Sequence, residues 1–233
     1  MQLVVFLTHN FNDIFLSSLL KLNNTNKENY KIIVLFDNNK DYDKHVEDKL
    51  PVIDIIKIDR INTTYDKLGH SMYIHYFKQN RNEIEQYEYI WIIENDVYYP
   101  NSFIDFMDVH NSFGHDLLVP EFGLRHPRWP WTRSLKGFSN VHNIGVLSVI
   151  MRVSQRFLSK LIDTIDKTYF GYLEAILPHI CIENQLSIQQ FLPEMCGILT
   201  TAANDPFLKL IKKDIKEKTT HYVQNKIYHP IKL

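Results

Sequence analysis

The clearest indication of the fold is the segment Tyr89-Ile90-Trp91-Ile92-Ile93-Glu94-Asn95-Asp96-Val97. An uninterrupted run of aromatic and branched apolar residues gives way to acidic and amide side chains. A continuous apolar run of this length is typical of a strand buried on both faces of a parallel sheet. Such sheets bind ligands at the carboxyl ends of their strands. The stretch therefore predicts a parallel α/β fold with a polar site where this strand ends.

Similar apolar runs recur through the first 120 residues and alternate with amphipathic or charged segments. Strands are predicted at 4–7, 32–36, 52–58 and 89–93. The segments between them carry helical spacing, most clearly over 68–87. Strands alternating with helices predict the α/β class, with a mostly parallel central sheet and helices on both faces.

The second half of the chain is less regular. Strands are predicted at 116–120, 143–151 and 197–200, and helices from Ser154 to about residue 166 and over 172–192, where Pro178 interrupts the second one. Residues 121–142 are expected to form a long loop, and residues 214–227 a polar tail. No internal repeat or linker divides the sequence, so we expect a single domain over residues 1–233.

Composition excludes several classes of protein. The 233 residues are 45% hydrophobic and 23% charged, as in ordinary globular proteins. Lys and Arg number 26 against 27 Asp and Glu, for a net charge of −1, so a nucleic-acid partner is not expected. Cys181 and Cys196 are too few for a disulfide framework or a zinc site, and a reducing compartment fits. No apolar stretch reaches the roughly 18 residues of a membrane helix.

Polar residues follow three of the predicted strands. Glu94 and Asp96 stand two apart, so in extended geometry they share a face and offer hard oxygen ligands for Mg²⁺ or Mn²⁺ bound to a diphosphate. A solvated acidic turn would have the same sequence. Asp37 ends its strand either as a hydrogen-bond acceptor for a ribose or base, or as the start of an Asx turn. Thr8-His9-Asn10 ends the first strand at the same edge.

This order of strand ends resembles the GT-A (Rossmann-like) fold of nucleotide-sugar-dependent glycosyltransferases. Glu94-Asn95-Asp96 stands where that family has its Asp-x-Asp motif, with Glu in the first position. The resemblance implies a divalent cation, Mn²⁺ or Mg²⁺, held mainly by Asp96 and also by Glu94. His229, in Tyr228-His229-Pro230-Ile231-Lys232, is similar to the late histidine that completes this metal site. The residues implied in donor binding are Thr8, His9, Asn10, Asp37, Glu94, Asn95 and Lys232.

Inverting members of the family need a general base, and two glutamates are candidates. Glu174 lies in a segment that looks like the Glu-x-x-x-Pro stretch of branching-type sugar transferases, in which the Glu is the base. Glu183-Asn184 looks like the Glu-Asp base motif of other GT-A families, with Asn in place of Asp. Apolar neighbours on both sides of Glu174 would raise the pKa of its carboxyl group, which suits a base working near neutrality. A helix N-terminus would also favour an acid at this position.

The predicted loop 121–142 is rich in aromatic and basic residues. Trp129, Trp131 and Arg133 are expected to bind the acceptor, because aromatic faces stack on sugar rings and Arg forks bind phosphate or carboxylate. The alternative is that the tryptophans fill the core beneath the loop. Arg125 and Lys232 could instead neutralise the diphosphate in a metal-free variant of the reaction.

The resemblance implies a hexosyl- or N-acetylhexosaminyl-transferase that uses a UDP- or GDP-sugar and a glycan or glycolipid acceptor. Residues 1–120 would bind the nucleotide sugar, and residues 121–233 would bind the acceptor and carry catalysis. We expect a location in the cytoplasm, bacterial or of a virus-infected host, with peripheral contact to a membrane. Two alternatives are a sugar-phosphate nucleotidyltransferase and a non-catalytic sugar-binding module. The first normally needs a Gly-rich basic loop after strand one, where this chain has Thr8-His9-Asn10.

Overall fold

The computed structural model describes residues 1–25, 28–59, 71–126, 128–133, 135–139, 141–165, 172–199, 205–217, 219 and 225–231. Within these ranges the strands are β1 (Gln2–Thr8), β2 (Tyr30–Asp37), β3 (Asp54–Ile58), β4 (Tyr89–Glu94), β5 (Leu117–Val119), β6 (Glu121–Leu124), β7 (Ile144–Leu147), β8 (Ile150–Ser154), β9 (Ile188–Gln190), β10 (Cys196–Leu199) and β11 (Ile227–His229). The helices are α1 (Asp13–Thr25), α2 (His45–Lys49), α3 (Ser71–Gln79), α4 (Arg81–Ile84), α5 (Phe103–His110), α6 (Pro130–Arg133), α7 (Gln155–Ile165), α8 (Leu173–Glu183) and α9 (Pro206–Glu217).

A mostly parallel sheet forms the centre of the described part of the chain. Its seven strands lie in the order β3-β2-β1-β4-β8-β5-β9. Strands β1 to β4 are mutually parallel, β8 runs antiparallel to β4 and β5, and β9 is parallel to β5. Two small ladders flank the sheet, an antiparallel β6–β7 hairpin and a parallel β10–β11 pair.

Helices cover both faces of the sheet, as the alternation of side chains along β1 shows. Val4 and Phe6 belong to one buried cluster, together with residues of α1 and α5. Leu3 and Val5 belong to the other, together with residues of α3, α7 and α8. Since successive side chains of a strand point to opposite faces, β1 contributes to both cores. The predicted α/β class, with a mostly parallel sheet between two helical layers, is confirmed.

The prediction of one strand over 143–151 is wrong, because two strands in different sheets share that segment. Ile144–Leu147 pairs with Glu121–Leu124 in a hairpin, whereas Ile150–Ser154 enters the central sheet between β4 and β5. The apolar run continues across both because each strand is buried. The supposed loop 121–142 accordingly contains β6 and the short helix α6.

Two further expectations about the second half are corrected. Helix α8 continues through Pro178, and the whole stretch 173–181 is buried, so packing compensates for the backbone bond that proline cannot donate. Residues 188–190 are not helical and instead extend the central sheet as β9. The polar tail begins with the last residues of helix α9, whose apolar residues Leu208 and Ile211 are buried. Ser154 does cap α7, accepting the Phe157 N–H at 3.1 Å.

Candidate active site

The carboxyl ends of β1, β2 and β4 lie side by side at one edge of the sheet. In the parallel ladders Thr8 is aligned with Phe36, the last residue before Asp37, and Leu7 is aligned with Glu94. Three of the strand ends chosen from sequence therefore meet at this edge. Each strand delivers its first polar residue there because its apolar run ends at the same level of the sheet.

The turn after β4 is held from both sides by its own backbone. The Glu94 N–H donates to the Val149 carbonyl at 2.9 Å, and the Asn95 N–H donates to the Leu7 carbonyl at 3.1 Å. The Asn95 side chain also donates to Asn10 Oδ1 at 3.1 Å. Glu94 is half-buried and Asp96 is 6% exposed. The turn Glu94-Asn95-Asp96, called the acidic ledge below, is thus fixed next to the end of β1.

His229 joins the two acids of this ledge. Its Nε2 lies 3.1 Å from Asp96 Oδ1 and 3.7 Å from Glu94 Oε2. Burial alone would lower the pKa of His229, but the hydrogen bonds and charges of Asp96 and Glu94 outweigh burial and raise the pKa to about 9. One ligand atom from each of the three residues lies within 4.8 Å of the others. Carboxylate oxygens with an imidazole nitrogen form a donor set that fits a divalent cation.

The C-terminal segment reaches the ledge through a short ladder of its own. Tyr98 and Tyr228 exchange two backbone hydrogen bonds of 2.9 Å each, and the Ile231 N–H donates to the Asp96 carbonyl at 2.8 Å. The Tyr228 ring lies directly on Gly197 of β10, where a Cβ would come within 2.5 Å of Tyr228 Cε1. These contacts on both sides of His229 set its place beside Asp96.

The residues ending β1 and β2 have local partners as well. Asp37 is buried, and its Oδ1 accepts the Asn39 N–H at 3.0 Å, which is the Asx turn that the sequence left open. The Thr8 hydroxyl is buried and accepts the Asn10 N–H at 3.1 Å. His9 and Asn10 are exposed. Asp37 and Thr8 therefore shape the edge of the sheet, while the exposed side chains face outward from it.

The two candidate bases have different surroundings, although both lie on α8. Glu174, in the first turn, is 6% exposed among buried apolar residues. Burial first, and then the negative charges of Glu174 and Glu94, raise the pKa of Tyr73, a fully buried residue of α3. Glu183, at the last turn, is exposed and accepts hydrogen bonds from the Ser139 N–H and hydroxyl, both at 2.7 Å.

Trp129 and Trp131 lie against a cavity of about 190 Å³. Their ring centroids are 4.9 Å apart, and Trp131 stacks on Tyr172 at 5.4 Å. Both rings are partly buried against the core, so they pack and line the cavity at once. The Trp129 ring rests on Gly145 of β7, where a Cβ would come within 2.3 Å of it. The lining residues are Glu121, Arg125, Trp129, Trp131, Val146, Leu147 and Leu199.

The basic residues named from sequence divide into three cases. Arg125 forms an ion pair with Glu121, and its guanidinium lies 5.5 Å from the centre of the Trp129 ring. Its charge is therefore compensated, which disfavours the idea that Arg125 neutralises a diphosphate. Arg133 ends α6, and its side chain lies outside the described part of the structure. Lys232 lies outside the described residues altogether.

No protein-family model and no curated protein matches the chain. Among solved structures, it is similar to the apo form of mouse xyloside xylosyltransferase 1, with 13% identity, a TM-score of 0.49, and 98% of this chain and 96% of that one covered. It is also similar to the inositol-1-phosphate CTP transferase from T. maritima, with 11% identity, a TM-score of 0.49, and coverages of 82% and 85%. A third is the glycosyltransferase GlyE of Streptococcus pneumoniae TIGR4, with 13% identity, a TM-score of 0.47, and 99% of this chain against 54% of that one.

The described residues form an α/β fold around a mostly parallel, seven-stranded sheet. In this sheet the acidic ledge follows β4, next to the end of β1. Among the described helices, none is long and apolar enough to cross a membrane.

Several residues that build the site carry no recognisable motif. Gly197 and Tyr228 seat His229, Gly145 seats Trp129, and Glu121 compensates Arg125. The glycines could have drawn attention as close-approach positions, because the chain holds only 7 glycines. Nothing in the sequence joins Glu121 to Arg125 except a spacing of four in a segment that is not helical.

The buried histidines outside the ledge have structural roles. His110 Nδ1 lies 2.8 Å from the Phe106 carbonyl, and its Nε2 accepts the Leu192 N–H at 3.1 Å. His179 repeats the pattern with the Ala175 carbonyl at 2.6 Å and the His142 N–H at 3.0 Å. Burial lowers the pKa of both, so each is a neutral imidazole that joins a helix to a distant loop.

Proposed function

We propose that the protein is a glycosyltransferase that moves a hexosyl or N-acetylhexosaminyl group from a UDP- or GDP-sugar to a glycan or glycolipid acceptor. The observation that carries the proposal is the convergence of Glu94, Asp96 and His229 at the carboxyl edge of a parallel sheet, all within 4.8 Å. This is the edge at which such sheets bind their ligands. Acids at that position suit a ligand whose phosphates arrive with a divalent cation.

Residues 1–120 would bind the donor and residues 121–233 the acceptor. On the donor side, the strand ends offer His9, Asn10 and Asn95 as polar contacts, with Thr8 and Asp37 fixing the backbone beneath them. Lys232, three residues after His229 in the sequence, would act on the diphosphate. The two free cysteines agree with a cytoplasmic enzyme.

Asp96, Glu94 and His229 would hold Mn²⁺ or Mg²⁺. A divalent cation at this place supplies charge compensation to the departing diphosphate. The protein's own contribution is to hold three ligand side chains in register before the donor arrives. The backbone bonds on both sides of the ledge and of His229 serve that purpose, since a preorganised site needs little rearrangement at the moment of reaction.

Glu174 is the proposed general base, which implies an inverting reaction. It would take the proton of the acceptor hydroxyl as that oxygen attacks the anomeric carbon. Its low exposure among the buried apolar residues of α8 supports the role. The Ser139 contacts of Glu183 favour an anchoring role for that residue. If neither glutamate affects turnover, the inverting mechanism is dropped and we expect a retaining reaction instead.

The acceptor would lie along Trp129 and Trp131, with Arg133 at the end of α6. Two observations support this placement. The tryptophans line a cavity. Two other lining residues lie near the acidic site along the chain or the sheet, since Leu199 pairs with His229 and Leu147 is two residues before Val149, which accepts the Glu94 N–H. Aromatic rings provide an apolar face of the kind that sugar rings stack on.

A thermal-shift screen tests the function directly. UDP-, GDP- and CMP-sugars are added with and without Mn²⁺, since a ligand that binds the native state raises the melting temperature by mass action. We expect a UDP- or GDP-sugar to stabilise the protein only with the cation. Stabilisation by a sugar phosphate with a free nucleoside triphosphate would favour the nucleotidyltransferase. No response to any nucleotide, with binding of free glycans, would favour the non-catalytic module.

A further inference from the structure

Two residues that line the Trp129–Trp131 cavity lie in segments that also pair with the residues of the acidic site. Leu199 is the β10 partner of His229 in the parallel β10–β11 ladder. Leu147 lies two residues before Val149, whose carbonyl accepts the Glu94 N–H. The other lining residues include the two tryptophans and the Glu121–Arg125 pair. A ligand in the cavity would therefore sit against the same strands that fix the ledge.

The cavity combines an aromatic wall with a compensated pair of charges. Trp129 and Trp131 supply rings tilted by 52° to one another. Arg125 lies over the Trp129 ring and is paired with Glu121, which is about half exposed. The wall thus presents an apolar face, a fork of donors and a carboxylate acceptor together. A pyranose ring is the complementary molecule, because its C–H groups form an apolar face and its hydroxyls both donate and accept.

The charges of the lining residues and the volume of the cavity further restrict which sugars it can bind. Because Glu121 already compensates Arg125, an anionic sugar would have to displace a carboxylate from the guanidinium and leave Glu121 facing a like charge. A volume of about 190 Å³ corresponds to roughly six waters at ~30 Å³ each, which is the room of one sugar ring. Gly145 allows this shape, since a side chain there would displace Trp129, which lines the cavity.

We propose that this cavity binds one uncharged pyranose ring, with Glu121 and Arg125 as the residues that select against acidic sugars. The inference rests on the proposed function in one respect, namely that the ring is the terminal sugar of the acceptor glycan. The alternative source of the same ring is the sugar of the donor, and the experiment separates the two.

Binding is measured by tryptophan fluorescence and by saturation-transfer NMR on the full chain. The probes are neutral methyl glycosides of common hexoses, pentoses and N-acetylhexosamines, and the matched acid is methyl glucuronide. We expect saturable binding of at least one neutral glycoside and a much weaker response to the glucuronide. Absence of binding by every neutral glycoside, or preference for the acid, would overturn the inference.

Two variants and one control locate the binding. Glu121→Gln leaves Arg125 uncompensated, so neutral binding should weaken about tenfold while the glucuronide gains affinity. Gly145→Ala should abolish binding by displacing Trp129. Leu124 lies in β6 with Glu121 and is 85% exposed, so Leu124→Ala should leave glycoside binding unchanged. If Gly145→Ala does not fold, the reversal of preference in Glu121→Gln alone decides, and an unchanged preference contradicts the proposal.

Competition identifies the source of the ring and keeps the two proposals apart. If saturating UDP-sugar with Mn²⁺ leaves glycoside binding intact, the ring belongs to the acceptor. If the UDP-sugar blocks the glycoside and UDP alone does not, the ring is the donor's, and the cavity assignment still holds. Glycoside binding without any nucleotide binding would contradict the transferase function and support the cavity. Nucleotide binding without glycoside binding would support the transferase function and contradict the cavity assignment.

Discussion

His229 Nε2 lies 3.1 Å from Asp96 Oδ1, although the two residues come from opposite ends of the chain. The contact depends on backbone bonds rather than on attraction between the side chains alone. Tyr228 pairs with Tyr98, and Ile231 donates to Asp96 itself, so one residue on each side of His229 is fixed to the ledge. The cluster is therefore present as part of the fold, before any ligand binds.

Gly197→Ala should disturb the contact between His229 and Asp96 indirectly, through Tyr228. The new Cβ would come within 2.5 Å of the Tyr228 ring and 2.9 Å of the Ile227 carbonyl, so β11 must shift. Overpacking of this kind costs about 1–3 kcal/mol of stability. We expect a lower melting temperature and weaker cation-dependent nucleotide binding, measured on the same sample. Gly114→Ala is the matched control, because nothing lies within 4 Å of its Cβ position. Wild-type nucleotide binding in Gly197→Ala would show that the seat of Tyr228 does not matter.

Glu174→Gln should lower kcat by about 10²–10⁴-fold, the usual contribution of a positioned base. The amide keeps the shape of the side chain but cannot take a proton, so donor affinity and melting temperature should change little. Steady-state kinetics with a responsive acceptor measure the effect. Glu183→Gln is the control on the same helix and should act on the Ser139 contact instead of on kcat. The assignment moves to Glu183 if only that variant loses turnover.

Trp131→Ala should raise the acceptor KM and leave nucleotide affinity nearly intact. The ring lines the cavity and stacks on Tyr172, so its loss removes part of the wall without touching the ledge. Acceptor titrations at saturating donor give the KM, and calorimetry gives the nucleotide affinity. A variant that loses folded structure altogether would instead support a packing role for Trp131.

Asp116, which lies directly before β5, should make the stability of the fold sensitive to acid. Burial alone would raise the pKa of Asp116, but hydrogen bonds from Arg156, Ser187 and Ser154 outweigh it and hold the pKa well below its usual range. A carboxyl with a lowered folded-state pKa stabilises the fold above its unfolded pKa of about 3.9. That stabilisation is lost as the pH falls through the lower folded-state value.

Asp116→Asn should therefore lower the melting temperature at pH 7 and flatten its fall below about pH 4. Melting curves from pH 7 to pH 3 measure this. Asp163→Asn, at a partly exposed acid of α7 that pairs with Arg81 at 3.8 Å, serves as the comparison. Parallel pH curves for wild type and Asp116→Asn would contradict the assignment.

The central sheet and the place of the acidic ledge could be predicted because buried parallel strands are written as continuous apolar runs. Ile90–Ile93 is such a run, and the first polar residues after it had to lie at the sheet edge. The same rule failed at 143–151, where one apolar run serves two strands that belong to different sheets. An apolar run indicates that a segment is buried, but it does not show with which strand the segment pairs.

The partner of Asp96 could be named from sequence only through a family resemblance. Strand β11 holds just three residues, Ile227–His229, and its pairing with Cys196–Leu199 leaves no pattern that local spacing could reveal. The Trp cavity was missed for a similar reason. It depends on Gly145 meeting Trp129 across a hairpin whose turn region contains α6, and tertiary packing rather than local propensity sets that contact.

Asp96, with Glu94 and His229, is proposed to bind a nucleotide diphosphate through a divalent cation. Titration calorimetry with UDP and GDP, with and without Mn²⁺, on wild type, Asp96→Asn and Asp163→Asn measures this binding. We expect binding that needs Mn²⁺ in wild type and Asp163→Asn and that is weakened at least about tenfold in Asp96→Asn. Equal affinity with and without Mn²⁺, in wild type and Asp96→Asn alike, would contradict it.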